Sequence, residues 1–500
     1  MTTPARLRSS DAPQQPAHAP DAPRLGEFGC IVGGRQLRTG ATFDVRSPYD
    51  GASVAIVHRA GPKEIERAIA DAAAAFETTK KLPSWKRAAV LEAISAAIAS
   101  RREELAQIIA LEAGKPIKTA RVEADRSAFT FKVAAEEAKR INGEIIPLDW
   151  LPGLEGREAY VRRIPLGPIA GITPFNFPLN LVAHKVAPAL ASGNPVIVRP
   201  ATQTPVSAIK LGEIAIGAGW PAEAYAVVPS STSDAAPLVQ DNRIKLLSFT
   251  GSPAVGWDLK GKAGRKRVTL ELGGNAAVIV HRDADLGYAA ERVVWGGFAY
   301  AGQSCISVQR IYVHRDVYEA YSADVVRRTQ QLKVGDPLLE DTDVGPVIDA
   351  VAADRIEEWL TEARSAGGRV LTGGRRVGSI IEPTVIADAP PHVRINAQEV
   401  FAPLIALHQY ADIDQAIAAA TSSDYGLQAG IFSHDDRVIA SAVDRIEAGG
   451  IIVNDVPTFR VDHMPYGGVK LSGFGREGIR YAIEEMTEMK LIAINRNPNP

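Results

Sequence analysis

Cysteine is nearly absent from this chain. Two of its 500 residues are Cys, Cys30 and Cys305. That leaves no disulfide framework and fits a reducing compartment, so a cytoplasmic protein is expected. A strong charge of either sign is also missing. The 56 Lys and Arg stand against 58 Asp and Glu, a formal net charge of −2. Nothing in that balance favours nucleic acid or an anionic membrane surface. No apolar run reaches about eighteen residues, so no membrane-spanning helix is expected. There is no short-period repeat. Residues 1–24, rich in Ala, Pro, Ser and Asp, lack the apolar stretch of a secretory signal and read as a disordered tail.

What is present is ordinary globular material: 46% hydrophobic and 23% charged residues. The length suggests about three domains with a large core. Apolar residues at helical spacing predict helices over 62–75, 86–113 and 119–140. In the second of these Leu91, Ile94, Ile98 and Leu105 share one face, and Gly114-Lys115-Pro116 stops it. Strands then alternate with helices. Runs at 169–172, 195–198, 224–228 and 244–249 read as buried strands, with helices at 184–191 and 206–217. That alternation predicts a doubly wound parallel sheet, which binds ligands at the carboxyl ends of its strands. Segments 276–280, 310–313 and 450–453 read as strands of a second α/β unit. Two segments stand apart: 146–165, with alternating Tyr160-Val161-Arg162, and the terminal strand 487–494.

The chemistry-bearing residues lie in glycine-rich or polar segments. Cys305 closes Gly302-Gln303-Ser304-Cys305. A thiol attacks a carbonyl once its pKa is lowered or a base assists. Glu271, in Leu270-Glu271-Leu272-Gly273-Gly274, supplies a carboxylate able to activate water or the thiol. Asn176, in Thr173-Pro174-Phe175-Asn176-Phe177-Pro178, offers a donor to an oxyanion. Phe249-Thr250-Gly251-Ser252-Pro253 follows a strand and opens a helix, a place where backbone and helix N-terminus suit phosphate. Cys30 sits in the apolar run Gly29-Cys30-Ile31-Val32 and reads as a buried structural thiol. No metal is expected.

These segments, in this order, resemble the aldehyde dehydrogenase superfamily over about residues 30–495. They are most similar to its lactaldehyde dehydrogenase-like branch, near the phosphonoacetaldehyde and non-phosphorylating glyceraldehyde-3-phosphate enzymes. The resemblance implies an α/β fold with a Rossmann-type cofactor domain (25–146 and 166–273). It further implies an α/β catalytic domain (274–483) and a small β arm for oligomerisation (147–165 and 484–500), hence a homodimer or homotetramer. It assigns catalysis to Cys305, Glu271 and Asn176. It places an NAD or NADP cofactor against Thr173, Pro174, Phe175, Arg199, Thr202, Gly251, Ser252 and Leu272, with Glu399 and Phe401 near the nicotinamide ribose and ring. The chain departs from the family at Arg199, usually Lys, and at Thr202, where NAD-preferring members often carry Glu. Thr202 removes a carboxylate that repels a 2′-phosphate, so NADP is permitted.

Segment matching also places Arg126, His184 and Arg460 near the substrate channel. Two arginines converging there without an anionic partner are costly, which predicts a small polar or anionic aldehyde. Ser304 stands where some anion-binding members carry Arg, and this weakens the case for phosphate. The implied activity is NAD(P)-dependent oxidation of that aldehyde to its acid, through a thiohemiacetal and a thioester released by Glu-activated water. CoA-acylating relatives commonly lack the glutamate, so Glu271 favours hydrolysis over this alternative. A non-enzymatic descendant is the other alternative, and it predicts loss of Cys305, Glu271 or Asn176.

Overall fold

A computed structural model describes residues 23–496 of the protein. The expected tail therefore lies almost wholly outside the described residues, as does the end of the arm. Five parallel strands form the centre of the first sheet. Their order in space is Arg267–Glu271, Leu246–Thr250, Ile169–Ile172, Val196–Arg199 and Tyr225–Val227. Chain order reverses between Ile169–Ile172 and Leu246–Thr250, the position beyond whose carboxyl ends such sheets bind ligands. The last two strands named as neighbours of that reversal are buried along their whole length. Continuous burial explains why their sequences run apolar or small instead of alternating. Cys30–Val32 and Arg35–Leu37 extend one edge antiparallel, and Cys30 is fully buried there, as expected.

Helices cover this sheet. Pro62–Thr79 begins with proline at its first turn, and Glu64 reaches back to the Gly61 N–H at 2.9 Å. Asn180–Ser192 ends at Gly193, whose φ of 83° a side chain would resist. The helix expected over 86–113 is instead two, Ser84–Ser100 and Arg102–Ala113. Arg101 leaves helical geometry (φ −105°, ψ 19°), and the Ser100 hydroxyl bonds the Ala97 carbonyl at 2.9 Å. Such local bonding competes with the helix. Leu91, Ile94, Ile98 and Leu105 are nonetheless all buried in one core. Each such side chain contributes about 1.5–3 kcal/mol.

The second sheet has six parallel strands in the order Thr384–Ala387, Leu404–Tyr410, Val308–His314, Ala276–Val280, Gln428–Phe432 and Gly450–Val453. Arg369–Thr372 closes one edge antiparallel. The chain then returns to the first sheet. Gly473–Phe474 pairs with Arg267–Glu271, and Ile479, Ile483 and Met486 join the first core. The stretch expected as the catalytic unit thus ends inside the first sheet's own packing. A third, antiparallel sheet joins Thr487–Asn495, Arg157–Pro165 and Glu144–Pro147. Among the described residues, no helix is long and apolar enough to cross a membrane.

Candidate active site

The first sheet delivers its residues from strand ends. Glu271 is the last residue of Arg267–Glu271, and Arg199 the last of Val196–Arg199. Thr173 follows Ile169–Ile172 directly, and its N–H donates to the Arg199 carbonyl at 3.1 Å. Asn176 lies three residues on and is buried. Gly251 and Ser252 follow Leu246–Thr250 and precede helix Pro253–Lys262.

The second sheet delivers Cys305, just before Val308–His314. The approach is strained: Tyr300, Ala301 and Gly302 have φ of 51°, 53° and 67°. Consecutive left-handed residues cost energy unless the surroundings hold them. Here the Tyr300 hydroxyl donates to the Ala113 carbonyl at 2.9 Å, and the buried Gln303 side chain accepts from the Ile348 N–H at 2.8 Å. Asn176 Nδ2 donates to the Gln303 carbonyl at 3.0 Å. Asn176 is therefore tied to the backbone two residues from the nucleophile.

The Cys305 Sγ lies 3.0 Å from the Tyr466 hydroxyl. Burial pushes the thiol up to about 11, while the Tyr466 hydrogen bond and the Arg460 guanidinium act in the opposite direction. Glu271 is buried with both carboxylate oxygens unpartnered. Burial and the neighbouring Glu477 carboxylate raise it well above the usual carboxylate range. Glu477 behaves oppositely. Burial opposes its charge, yet Lys185, His184 and Arg460 bring it down to about 2. Its oxygens accept from Lys185 Nζ at 3.1 Å and Arg460 Nη2 at 3.3 Å. Lys185 also donates to the hydroxyls of Ser248 and Thr250 at 3.0 and 2.8 Å.

A cavity of about 120 Å³ is lined by Cys305, Ser304, Tyr466, Phe177, Arg126 and Arg460, among others. Both arginines have protein carboxylates as partners, which corrects the expectation that they lack anions. Asp462 accepts from Arg126 Nε and Nη2 at 3.1 and 2.6 Å, from Asn180 at 3.1 Å and from His184 Nε2 at 2.9 Å. Burial opposes its charge, but His184 and Arg126 hold Asp462 well below the usual range. His184 is not among the cavity-lining residues; it stands behind Asp462, and burial lowers its pKa.

Facing the first sheet's strand ends, Glu399 accepts from the Gly274 N–H at 2.9 Å, and burial raises it to about 7. Phe401, at φ 52°, packs edge-on to Phe175 with centroids 5.8 Å apart. Thr202 is exposed and Leu272 buried. No group of three or more His, Cys, Asp or Glu that could hold a metal occurs among the described residues.

Sequence reasoning missed Tyr466, Gln303, Asp462, Lys185 and Glu477 as members of this cluster. One signal was available: Lys185 interrupts the apolar run Val182-Ala183-His184-Lys185-Val186-Ala187, where a charge needs a buried partner.

Known proteins share this arrangement of segments. The model of the aldehyde dehydrogenase family matches residues 36–492. The chain is 43% identical over 473 residues to a 3-sulfolactaldehyde dehydrogenase of Priestia aryabhattai, spanning 94% of this chain and 99% of that one. Aldehyde dehydrogenase 21 of Physcomitrella patens, solved in complex with its reaction product succinate, superposes with a TM-score of 0.93. The two chains are 43% identical over 96% of this one and 100% of the other. A glyceraldehyde-3-phosphate dehydrogenase of Methanocaldococcus jannaschii DSM 2661, solved with NADP, gives 0.88 at 39% identity, over 91% and 100% of the two chains. With the family pattern matched along nearly its whole length, the chain belongs to the aldehyde dehydrogenase family.

Proposed function

We propose that the protein oxidises a small anionic or strongly polar aldehyde to its carboxylic acid, using NAD or NADP. One observation carries the substrate class: Cys305, Arg126 and Arg460 line one cavity. Asp462 occupies Nε and Nη2 of Arg126, leaving Nη1 for a ligand. Three basic side chains, Arg126, Arg460 and Lys185, share two carboxylates, Asp462 and Glu477. Burial and Glu477 oppose the charge of Glu271, and the unpaired edge of the Arg126 guanidinium favours an anion. His184 takes a positioning role, holding Asp462 against Arg126. The relatives named with sulfolactaldehyde and with succinate support the same class.

A nicotinamide dinucleotide fits the crevice of the first sheet. Thr173 Oγ1 and Arg199 Nε are buried there without partners. Ser252 stands exposed at the start of a ten-residue helix, which suits a pyrophosphate with Gly251 beside it. Thr173 to Phe175 and Leu272 form one wall of that crevice, and Glu399 and Phe401 the other. Arg59 lies close enough to Arg199 to lower its pKa alongside burial, and two neighbouring guanidiniums favour a 2′-phosphate. Thr202 brings no opposing carboxylate, so both cofactors are accepted. When bound, the cofactor supplies the acceptor for the hydride leaving the substrate carbon.

The chain's own residues do the rest. The Cys305 thiol loses its proton, and Sγ bonds to the aldehyde carbon. The second N–H of Asn176 Nδ2 and the Cys305 backbone N–H meet the oxygen that becomes negative. Once oxidised, the carbon remains on Sγ as a thioester. Glu271 takes a proton from water, whose oxygen bonds to the acyl carbon and releases acid and thiolate. The first sheet serves as the cofactor unit, the second as the catalytic unit and the third as the arm of a homodimer or homotetramer.

The test compares kcat/KM for succinic semialdehyde and propanal, with NAD and with NADP. Arg126→Leu is expected to weaken the anionic aldehyde by about 1.5–3 kcal/mol and propanal far less. Equal losses for both would remove the anionic-substrate reading.

A further inference from the structure

We propose that Tyr466 is a further catalytic residue, whose hydroxyl donates to the Cys305 sulfur and stabilises its thiolate form. The inference rests on the cysteine chemistry proposed above. Its basis is geometric. The hydroxyl is 3.0 Å from Sγ, and the Tyr466 side chain is buried in a small cluster with Cys305, Ile306, Leu427 and Met464. A phenylalanine would fill the same space and leave the sulfur without that donor.

The hydroxyl cannot drift. The Arg460 guanidinium carbon lies 3.6 Å from the centre of the Tyr466 ring. Arg460 is anchored by Glu477, Glu477 by Lys185, and Lys185 by Ser248 and Thr250 of strand Leu246–Thr250. A line of contacts therefore runs from the first sheet to the nucleophile of the second. A cation on the ring face withdraws electron density and strengthens the phenol as a donor. Burial and the adjacent Cys305 keep the phenol itself protonated.

The proton balance is simple. The thiol proton passes to bulk water before the aldehyde enters. Tyr466 keeps its own proton and contributes only the hydrogen bond. Sγ then uses its electron pair to bond the carbonyl carbon. When the thioester is hydrolysed, the sulfur leaves as a thiolate and meets the same donor. Besides Tyr466, the groups that act on Cys305 are Arg460, which favours the thiolate, and Glu399 and Glu271, which oppose it.

The test is the pH profile of Cys305 alkylation by iodoacetamide, with the labelled peptide mapped to separate Cys305 from Cys30. In Tyr466→Phe the midpoint is expected to rise by about one unit or more. The rate at neutral pH then falls about tenfold, as does kcat/KM for the aldehyde, while KM for the cofactor holds. A 3-fluorotyrosine at position 466, a stronger donor of nearly the same shape, moves the midpoint down. A wild-type midpoint in both proteins overturns the inference. Failure of the parent reading is distinguishable, because it appears as aldehyde oxidation surviving in Cys305→Ala.

Discussion

Glu271 carries two buried, unpartnered carboxylate oxygens, free to accept a proton from a water beside Cys305. Burial and the Glu477 carboxylate raise its pKa, which makes it a stronger base than an ordinary glutamate once ionised. The sign follows directly: the base form is gained as pH rises through that raised pKa, so thioester hydrolysis accelerates over the same range. Glu271→Gln should leave the first turnover intact and slow later ones by about 10²–10⁴-fold. Stopped-flow traces would show a burst of reduced cofactor and then a slow phase. Equal slowing of both phases would assign Glu271 to the thiol instead. At this scale the grouping of Cys305, Glu271 and Asn176 was legible through the three segments that resemble the family, and the Asn176 Nδ2 bond to the Gln303 carbonyl agrees with that grouping. Asp462 and Glu477 were not, since Arg126, His184 and Lys185, which give them meaning, lie hundreds of positions away in the chain.

Among elements, the turn after strand Arg267–Glu271 sets the spacing of the site. A Cβ on Gly274 would lie 2.2 Å from the Cys305 carbonyl oxygen, and one on Gly273 2.2 Å from Glu399 Oε2. The backbone of this turn thus touches both the nucleophile segment and the Glu399 segment. Gly274→Ala must push the Cys305 backbone, so it should cost about 1–3 kcal/mol of stability and most of kcat. Thermal melts and turnover measured together check this; unchanged turnover would mean the segment yields freely. Four of the five central strands of the first sheet were readable as apolar runs, but Arg267–Glu271, which carries Arg, Thr and Glu, was not. The helix break at Arg101 was not, because apolar spacing continues through it and only local bonding at Ser100 marks it. Strands Thr384–Ala387 and Leu404–Tyr410 also went unread, being short apolar runs that pair in the interior of the second sheet.

For the whole molecule, the third sheet leaves Met489 60% and Leu491 59% exposed on one face. The proposed oligomer would cover these adjacent apolar side chains. Leu491→Glu should shift the light-scattering mass toward the monomer, with each side chain removed from the contact costing about 1.5–3 kcal/mol. An unchanged mass would place the interface elsewhere. The third sheet was legible as two isolated strand-like segments, but their pairing along Thr487–Asn495 was not, since register between distant strands leaves no local mark. One measurement bears on the proposed reaction most directly. Cys305→Ala should lose turnover of succinic semialdehyde with NAD or NADP while still binding the cofactor. Rapid quenching of Glu271→Gln should in parallel show the acyl mass on the Cys305 peptide alone. Turnover retained in Cys305→Ala, with no adduct on that peptide, would contradict the account.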